Sequence, residues 1–296
     1  MRTLLRAIRT PLVKAGERLA TMARREDPNS VFWSVYYPPN FGDLVGPYLY
    51  QRLTGENAIF RVPDGLSRRS VYVTAGSIMT LVEGNAIVWG SGIMSRTATF
   101  PAPWRTLAVR GPRTRDRFRE LGYPCPDVFG DPAILLPRVY QPPRRDLTHQ
   151  VGVIPHYHDF SEVRGWFAHD PTIKVIDVTH PVDQVIDQIT SCARTVSSSL
   201  HGLIVSNAYG VPSAWVRFSD RLGGDGIKFL DYYASGGVET VAPSVITAHV
   251  STADLEKMVI EAPQPDLSPL LQPLMDACPF PRNSLGSFPG ALDEPR

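Results

Sequence analysis

The stretch from residue 194 to residue 216, RTVSSSLHGLIVSNAYGVPSAWV, decides the fold that this sequence predicts. It opens with a short strand that is predicted to be buried, Arg194 to Val196, and passes through small polar residues into a helix that runs to about Tyr209. Gly210 stands where a glycine commonly ends a helix, and Ser213 to Val216 has the composition of a further strand. Strand, helix and strand in this order form the unit from which parallel sheets are built.

The same alternation recurs along the chain on both sides of this unit. The other predicted strands are 31–37, 71–75, 86–89, 107–109, 150–155 and 173–178, and the other predicted helices are 44–53, 113–121 and 181–191. Most of these strands are short apolar runs that end in small residues, which is typical of parallel strands covered on both faces. The sequence therefore predicts an α/β protein with two doubly wound lobes, and ligands of such sheets bind beyond the carboxyl ends of the strands.

Composition divides the chain into four predicted segments. A stretch rich in proline and arginine, 136–148, is the candidate linker between the lobes. We predict a basic N-terminal arm at 1–29, an N-terminal lobe at 30–140 and a C-terminal lobe at 148–262. A C-terminal tail follows at 263–296, which becomes rich in Pro, Gly and Ser from residue 279 and is expected to be poorly ordered at its end.

Overall composition excludes several classes of protein. The 296 residues carry a formal net charge of +1, are 43% hydrophobic and 20% charged, so a globular core is expected and a general attraction to nucleic acid is not. No apolar run approaches the roughly 18–20 residues needed to cross a bilayer. Cys125, Cys192 and Cys278 are widely spaced and form no CxxC motif, which favours a reducing, cytoplasmic setting.

The first 25 residues carry seven basic side chains against Glu17 alone, and Leu4, Leu5, Ile8 and Leu12 recur at helical spacing. A basic amphipathic helix can lie on an anionic membrane surface, which would place the protein at the inner face of the cytoplasmic membrane. The alternative is a solvated first helix packed on the body of the protein, or a partly disordered arm, and Pro11, which interrupts the helical pattern, favours this alternative.

The serine-rich turn 197–202 is the most informative candidate site. A helix that begins there offers free N–H groups and a partial positive charge to an anion, with Ser198 or Ser199 as its cap. His201 falls in the first turn of this helix, where an imidazole could deliver a proton to a bound anion. The alternative is a capping serine followed by a structural histidine.

Two cations are candidates to bind the same anion. Arg110 ends a strand of the other lobe, and its planar guanidinium suits phosphate or carboxylate. Lys228 follows the glycine-rich loop 223–226, which could carry it over a ligand. The alternatives are a surface arginine and an ordinary helix start.

Four further polar residues lie at turns. Asn40 and Asp43 begin a helix, where Asp43 could act as a general base or simply as a cap. His156 and His158 could share a metal, but no cysteine or carboxylate cluster completes such a site. His156 is therefore better explained as a sugar or anion contact, and no metal is expected.

Six short motifs occur in a fixed order along residues 30–240. They are 40-NFGD-43, 88-VWGSGI-93, 109-VRGPRTR-115, 130-GDPA-133, 197-SSSLHG-202 and 228-KFLDYY-233. In these motifs the chain resembles the polysaccharide pyruvyl transferase family, and most closely its bacterial exopolysaccharide ketal-pyruvate transferases. The resemblance implies two Rossmann-like lobes similar to GT-B glycosyltransferases, with a cleft between them.

The resemblance also implies an activity, namely transfer of pyruvate from phosphoenolpyruvate to a sugar as a ketal, with release of phosphate. The family's catalytic histidine falls on His201 and its donor-binding arginine on Arg110, while Ser199 stands where some members carry another arginine. The acceptor would be a sugar of an exopolysaccharide or lipid-linked oligosaccharide, and no cofactor is expected. The donor residues are then Arg110, Ser198, Ser199, Leu200, His201 and Lys228, and the acceptor or secondary residues are Asn40, Asp43, Ser91 and His156.

Two other functions stay open on the sequence. A nucleotide-sugar-dependent glycosyltransferase of the same fold would bind its diphosphate at the same helix. A non-catalytic partner in a polysaccharide assembly complex would tolerate changes at both Arg110 and His201.

Overall fold

The structure, a computed structural model, describes residues 27–35, 38–143 and 147–281. Its N-terminal lobe is built on a five-stranded parallel sheet of order β2-β1-β3-β4-β5. The strands are β1 (Ser30–Phe32), β2 (Ile59–Phe60), β3 (Val71–Val73), β4 (Ala86–Trp89) and β5 (Arg105–Ala108). The basic arm predicted at 1–29 lies outside the described residues except for 27–29.

The C-terminal lobe repeats this plan with a second parallel sheet of order β10-β9-β8-β6-β7. Its strands are β6 (His149–Ile154), β7 (Ile173–Val175), β8 (Cys192–Ser197), β9 (Ser213–Arg217) and β10 (Ser244–Val245). The predicted fold class, α/β with two Rossmann-like lobes, is confirmed.

Helices connect the strands and cover the sheets. They are α1 (Phe41–Thr54), α2 (Pro112–Glu120), α3 (Phe160–Trp166), α4 (Val182–Thr190), α5 (Leu200–Ala208), α6 (Ile227–Ser235), α7 (Thr252–Glu261) and α8 (Ser268–Asp276). Two 3-10 helices, Met79–Leu81 and Pro132–Arg138, complete the connections. Gly210 follows α5 with a positive φ of 73°, as the sequence predicted for the residue that ends this helix.

The sequence missed strands β2 and β10 for a physical reason. Each is a two-residue strand at the edge of its sheet, and its residues are exposed, so neither is long enough to show the apolar run of a buried strand. Conversely, the strand predicted at 31–37 ends at Phe32, and Tyr36 and Tyr37 lie outside the described residues.

The two lobes share one apolar core instead of meeting only at a linker. A single cluster of buried side chains includes Phe41 and Trp89 of the N-terminal lobe together with Ile154 and Leu203 of the C-terminal lobe. Helix α5 and the 3-10 helix Pro132–Arg138 contact each other at this junction. The mutual position of the lobes, and hence the shape of the cleft, is therefore fixed by packing.

Helix α8 lies within the segment predicted as a tail and contacts the N-terminal lobe. Trp89 Nε1 donates a hydrogen bond to the carbonyl of Leu274 at 2.9 Å. The Phe280 ring, just beyond α8, lies within 5.4 Å of the rings of Tyr50, Tyr72 and Trp89. This part of the predicted tail is thus a structural element of the N-terminal lobe.

A buried ion pair joins helix α6 to the end of β5. The guanidinium of Arg110 and the carboxylate of Asp231 are both fully buried, with Nε 3.0 Å from Oδ2. Asp231 also accepts hydrogen bonds from the N–H and hydroxyl of Thr114, at 3.0 and 2.7 Å. Because α6 follows β9 of the C-terminal lobe, this cluster locks the two lobes together at one side of the cleft.

Candidate functional site

A cavity of about 410 Å³ opens between the lobes at the carboxyl ends of the strands. The N-terminal lobe contributes the start of α1 and the turn after β3, and the C-terminal lobe contributes the turns after β6 and β8 and the start of α6. Its polar lining includes Asn40, Asp43, Ser77, His156, Ser199, His201 and Lys228. Topology thus brings together side chains that are far apart in sequence, as expected for ligand sites of open α/β sheets.

The turn between β8 and α5 is held by its own serines. Ser197 Oγ accepts the N–H of Ser199 at 3.0 Å and donates to the carbonyl of Ile154 at 3.1 Å. Ser199 caps α5 by accepting the N–H of Gly202 at 3.4 Å. The N–H groups of Leu200 and His201 fall in the first turn, where a helix offers no internal acceptor, and both residues line the cavity.

The imidazole of His201 lies beside a buried carboxylate. Its Nε2 is 3.5 Å from Oδ2 of Asp131, which is within ion-pair distance. This nitrogen has no hydrogen-bond partner among the described residues. The other oxygen of Asp131 accepts the N–H of Ala133 at 3.0 Å.

Burial acts to raise the pKa of Asp131, but its neighbours outweigh burial and hold the pKa below 3.8. The neighbours are, in order of effect, His201, the N–H of Ala133 and Arg110. Asp131 is therefore an anion at neutral pH. A carboxylate in this position orients the ring and stabilises the positive charge of an imidazole that carries a proton.

Gly42 fixes the other edge of the His201 ring. A Cβ at position 42 would lie 2.1 Å from Nδ1 of His201, so only glycine lets α1 approach the ring. No local pattern predicts this contact, although Gly42 stands in the NFGD motif.

We predict that Gly42→Ala displaces the His201 ring and lowers any activity that depends on it by at least about tenfold, because misplacement of a reacting group by about 1 Å can cost 10²-fold. Gly165→Ala is the matched control, since Gly165 also lies in a helix and a Cβ there meets no atom within 4 Å. Steady-state kinetics of both variants test the prediction. Equal activity of Gly42→Ala and Gly165→Ala would contradict it.

Asp43 lies next to Gly42 and lines the cavity. Asn40 accepts the N–H of Asp43 at 3.2 Å and thereby caps α1, and its Nδ2 donates to the Asp43 carboxylate at 2.5 Å. Burial raises the pKa of Asp43 above 3.8, with His201 the largest opposing influence. A carboxylate with a raised pKa in a cavity is suited to accept a proton.

Lys228 enters the cavity from the first turn of α6. Burial lowers the pKa of its ammonium group to about 8; the charge of Arg110 adds to this effect and that of Asp43 opposes it. Its Nζ lies 5.3 Å from the ring centre of Phe229. Among the described residues, this Nζ forms no hydrogen bond or ion pair. Lys228 is thus a half-desolvated cation available to an anionic ligand.

The glycine-rich loop before α6 closes one side of the cavity. Gly224 has a positive φ of 95°, and a Cβ there would lie 2.9 Å from the carbonyl oxygen of Met94. Asp225 accepts the N–H of Arg96 at 2.9 Å. The loop therefore spans from the C-terminal lobe to the N-terminal lobe next to Lys228.

Three predicted site residues lie behind the cavity wall. Arg110 is fully buried and donates to Asp231, to Ser77 Oγ at 2.5 Å and to the carbonyl of Ile93 at 2.8 Å. Ser91 Oγ donates to the carbonyl of Gly76, and Ser198 Oγ accepts the N–H of His156. Of the three, Arg110 is linked to the cavity surface through Ser77.

His156 lies in the turn after β6 and lines the cavity. Burial lowers the pKa of its imidazole to about 4, and the charges of Lys228 and His158 act in the same direction. The ring is therefore neutral at pH 7. Within the described part of the chain, no group of three or more His, Cys, Asp or Glu side chains is arranged to hold a metal ion.

Asp131, Asp231 and Ser77 were not predicted as site residues. The first two stand in the quoted GDPA and KFLDYY motifs, so the motifs were the available signal. Their partners, however, come from the other lobe, and sequence reasoning could not supply them.

These features define a class of protein: a two-lobed α/β fold whose site lies between the lobes, with a histidine at a helix start and a lysine lining the same cavity. The chain belongs to the polysaccharide pyruvyl transferase family, because the model of that family matches residues 63–220, more than half of the chain. This span includes Arg110, Asp131 and His201. The family identifies the chain as a transferase.

A similar viral protein does not specify the function beyond the family. The chain is 28% identical over 206 residues to "Uncharacterized protein L143" of Acanthamoeba polyphaga mimivirus, covering 68% of this chain and 72% of the relative. No solved structure matches the chain. The predicted closeness to bacterial exopolysaccharide enzymes stays a prediction. Among the described helices, none combines the length and apolar character needed to cross a bilayer.

Proposed function

We propose that this chain transfers pyruvate from phosphoenolpyruvate to two hydroxyls of a sugar, forming a ketal and releasing phosphate. The observation that carries the proposal is that His201, Lys228 and the start of α5 line one cavity. A proton donor and two kinds of anion-binding group are thereby available to a single small ligand.

The charges of the donor fit this lining. Phosphoenolpyruvate carries a phosphate of about −1.5 to −2 and a carboxylate. Lys228 and the N–H groups of Leu200 and His201 can each bind an anionic oxygen, and hydrogen bonds of this kind contribute roughly 1.5–3 kcal/mol each. Arg110 adds positive charge from behind Ser77, whose hydroxyl can turn to the ligand.

The proposed reaction begins with proton transfer from His201 to the methylene carbon, which becomes the methyl group of the product. The adjacent carbon gains positive charge and is attacked by the first sugar hydroxyl, whose proton returns to His201. Phosphate then leaves with the electrons of its bond to that carbon. Attack by the second hydroxyl closes the ketal; Asp43 accepts the proton of this hydroxyl and passes it to the departing phosphate.

Asp43 and Asn40 are assigned to the acceptor. The raised pKa of Asp43 suits a group that accepts a proton from an attacking hydroxyl, and Asn40 holds this carboxylate in place. His156, neutral at pH 7, is a further contact for the sugar. The acceptor in this proposal is a sugar of an exopolysaccharide or lipid-linked oligosaccharide.

Residues 1–26 would contact the membrane that holds such an acceptor. Measuring the binding of the protein to anionic vesicles, with and without these residues, tests that contact.

The direct test is release of inorganic phosphate from phosphoenolpyruvate with candidate lipid-linked oligosaccharides, together with transfer of isotope from labelled phosphoenolpyruvate to the sugar. The expected result is one labelled ketal per phosphate released. Transfer of a glycosyl group from a nucleotide sugar, with no use of phosphoenolpyruvate, would replace this function by that of a glycosyltransferase. An inactive protein that tolerates changes at Arg110 and His201 would instead be a non-catalytic partner.

We predict a pH dependence from Lys228. Below about pH 8 its ammonium group is charged and binds the donor; above this value the charge is lost. Accordingly kcat/KM for phosphoenolpyruvate falls about tenfold per pH unit above the pKa, because this ratio reports ionisations of the free enzyme. The measurement is a profile from pH 7 to 9.5.

Two variants make this prediction specific. Lys228→Met should lower kcat/KM at pH 7 and remove the step near pH 8, while the fall that follows loss of the His201 proton is common to the variant and the wild type. Lys257→Met is the control, since Lys257 is an exposed residue of α7 whose side chain is 3.8 Å from Glu261. A wild-type profile that stays flat up to pH 9.5 would rule out a binding role for the Lys228 charge.

A further inference from the structure

We propose that the rings of His156, Tyr157 and His158 form an aromatic surface, and that this surface binds the apolar C–H face of the acceptor sugar. This inference rests on the proposed function and names the part of the cavity that selects the acceptor. All three residues line the cavity between the lobes.

The three consecutive rings pack against one another in one cluster, and the ring faces and edges that this cluster presents to the cavity form the proposed surface. The ring centres of His156 and Tyr157 are 4.2 Å apart, those of Tyr157 and His158 are 4.2 Å apart, and those of His156 and His158 are 5.0 Å apart. Their planes differ by 32–46°. His158 is exposed and the other two are half-buried, so the surface is open to a ligand.

Hydrogen bonds tie this surface to the turn that carries His201. The N–H of His156 donates to Ser198 Oγ at 3.0 Å, and the N–H of Ser198 donates to the carbonyl of Ile154 at 3.1 Å. The aromatic surface and His201 are therefore held on one rigid frame. A sugar on the rings is placed in the same cavity as the proposed proton donor.

The chemistry of the surface suits a sugar better than a second anion. Aromatic rings offer an apolar face with polar edges, and a pyranose has a face of C–H groups bordered by hydroxyls. The His156 ring is uncharged at pH 7, since its pKa is about 4. Asn40 and Asp43 line the same cavity from the N-terminal lobe and supply partners for the hydroxyls.

The test compares Tyr157→Ala with Tyr157→Phe. Loss of the ring is expected to raise KM for the acceptor about tenfold, with KM for phosphoenolpyruvate changed less than twofold. Tyr157→Phe keeps the ring and is expected to restore most of the acceptor affinity that Tyr157→Ala loses. His158→Ala should raise KM for the acceptor only. The control is His249→Ala, because His249 is an exposed histidine of the same lobe.

A binding measurement separates this inference from the proposed function. Saturation-transfer NMR on the full chain without phosphoenolpyruvate uses methyl glycosides of glucose, galactose and mannose as probes. Saturation transfer to the C–H protons of the sugar ring is expected with at least one probe for the wild type and for Tyr157→Phe. No such transfer is expected for Tyr157→Ala. Binding of this kind with no phosphate release from phosphoenolpyruvate would remove the proposed function and leave the sugar surface intact.

The inference is overturned by either of two results. One is the absence of saturation transfer from the wild type to all three probes. The other is an unchanged acceptor KM and unchanged saturation transfer in Tyr157→Ala while the wild type turns over phosphoenolpyruvate.

Discussion

Replacing His201 by glutamine is expected to lower kcat for pyruvyl transfer by about 10²–10⁴-fold, the usual contribution of a positioned general acid. The amide nitrogen of glutamine can take the place of Nε2 near Asp131, 3.5 Å away in the wild type. The variant therefore keeps a polar partner for the buried carboxylate but cannot carry a proton. The melting temperature should change little, which separates loss of chemistry from loss of fold.

The measurement is phosphate release under saturating donor and acceptor. His249→Gln, at an exposed position outside the cavity, is the control and should retain wild-type kcat. Asp131→Asn should also lower kcat, because the neutral amide no longer stabilises a positively charged ring. If His201→Gln keeps more than about a tenth of the wild-type kcat, His201 is not the acid.

Removing the carboxylate of Asp231 is expected to produce the largest loss of stability. In Asp231→Ala the fully buried guanidinium of Arg110 loses its ion-pair partner, and Thr114 loses the acceptor for two hydrogen bonds. Breaking a buried ion pair on one side typically costs about 3–5 kcal/mol of unfolding free energy. Because the pair joins α6 to the end of β5, the cleft between the lobes should loosen as well.

Urea denaturation of the full chain measures this effect. Asp127→Ala is the control, since Asp127 pairs with Arg115 and Arg119 on the surface and exposed pairs contribute little. Its urea midpoint should stay close to that of the wild type. A similar midpoint for Asp231→Ala would mean that the buried guanidinium finds other compensation and that the pair does not lock the lobes.

Arg110 shows where sequence reasoning reached its limit. Its place at a strand end and its residue type predicted a guanidinium that faces the cleft and binds the donor directly. In the structure the side chain turns to Asp231, which is 121 residues away along the chain, and contacts the cavity through Ser77. Its role toward the donor therefore stays a prediction, now of a charge acting from behind the wall.

His201 shows the opposite case. The short strand, the serine turn and the helix that follows are local features, and they were enough to predict a histidine in the first turn of a helix at the carboxyl end of a parallel strand. The structure adds what lies around the ring. The carboxylate of Asp131 is next to one edge, and Gly42 is against the other.

The sequence by itself determined the α/β class, the parallel strands, and the turns at which His156, His201 and Lys228 stand. These follow from the periodicity of apolar residues and from turn chemistry, which act over a few residues. Only the tertiary structure decided which side chains face the shared cavity and which are buried as partners behind it. The reason is that the contacts of Asp131 and Asp231 depend on how two separately built sheets pack together, and no local pattern encodes that packing.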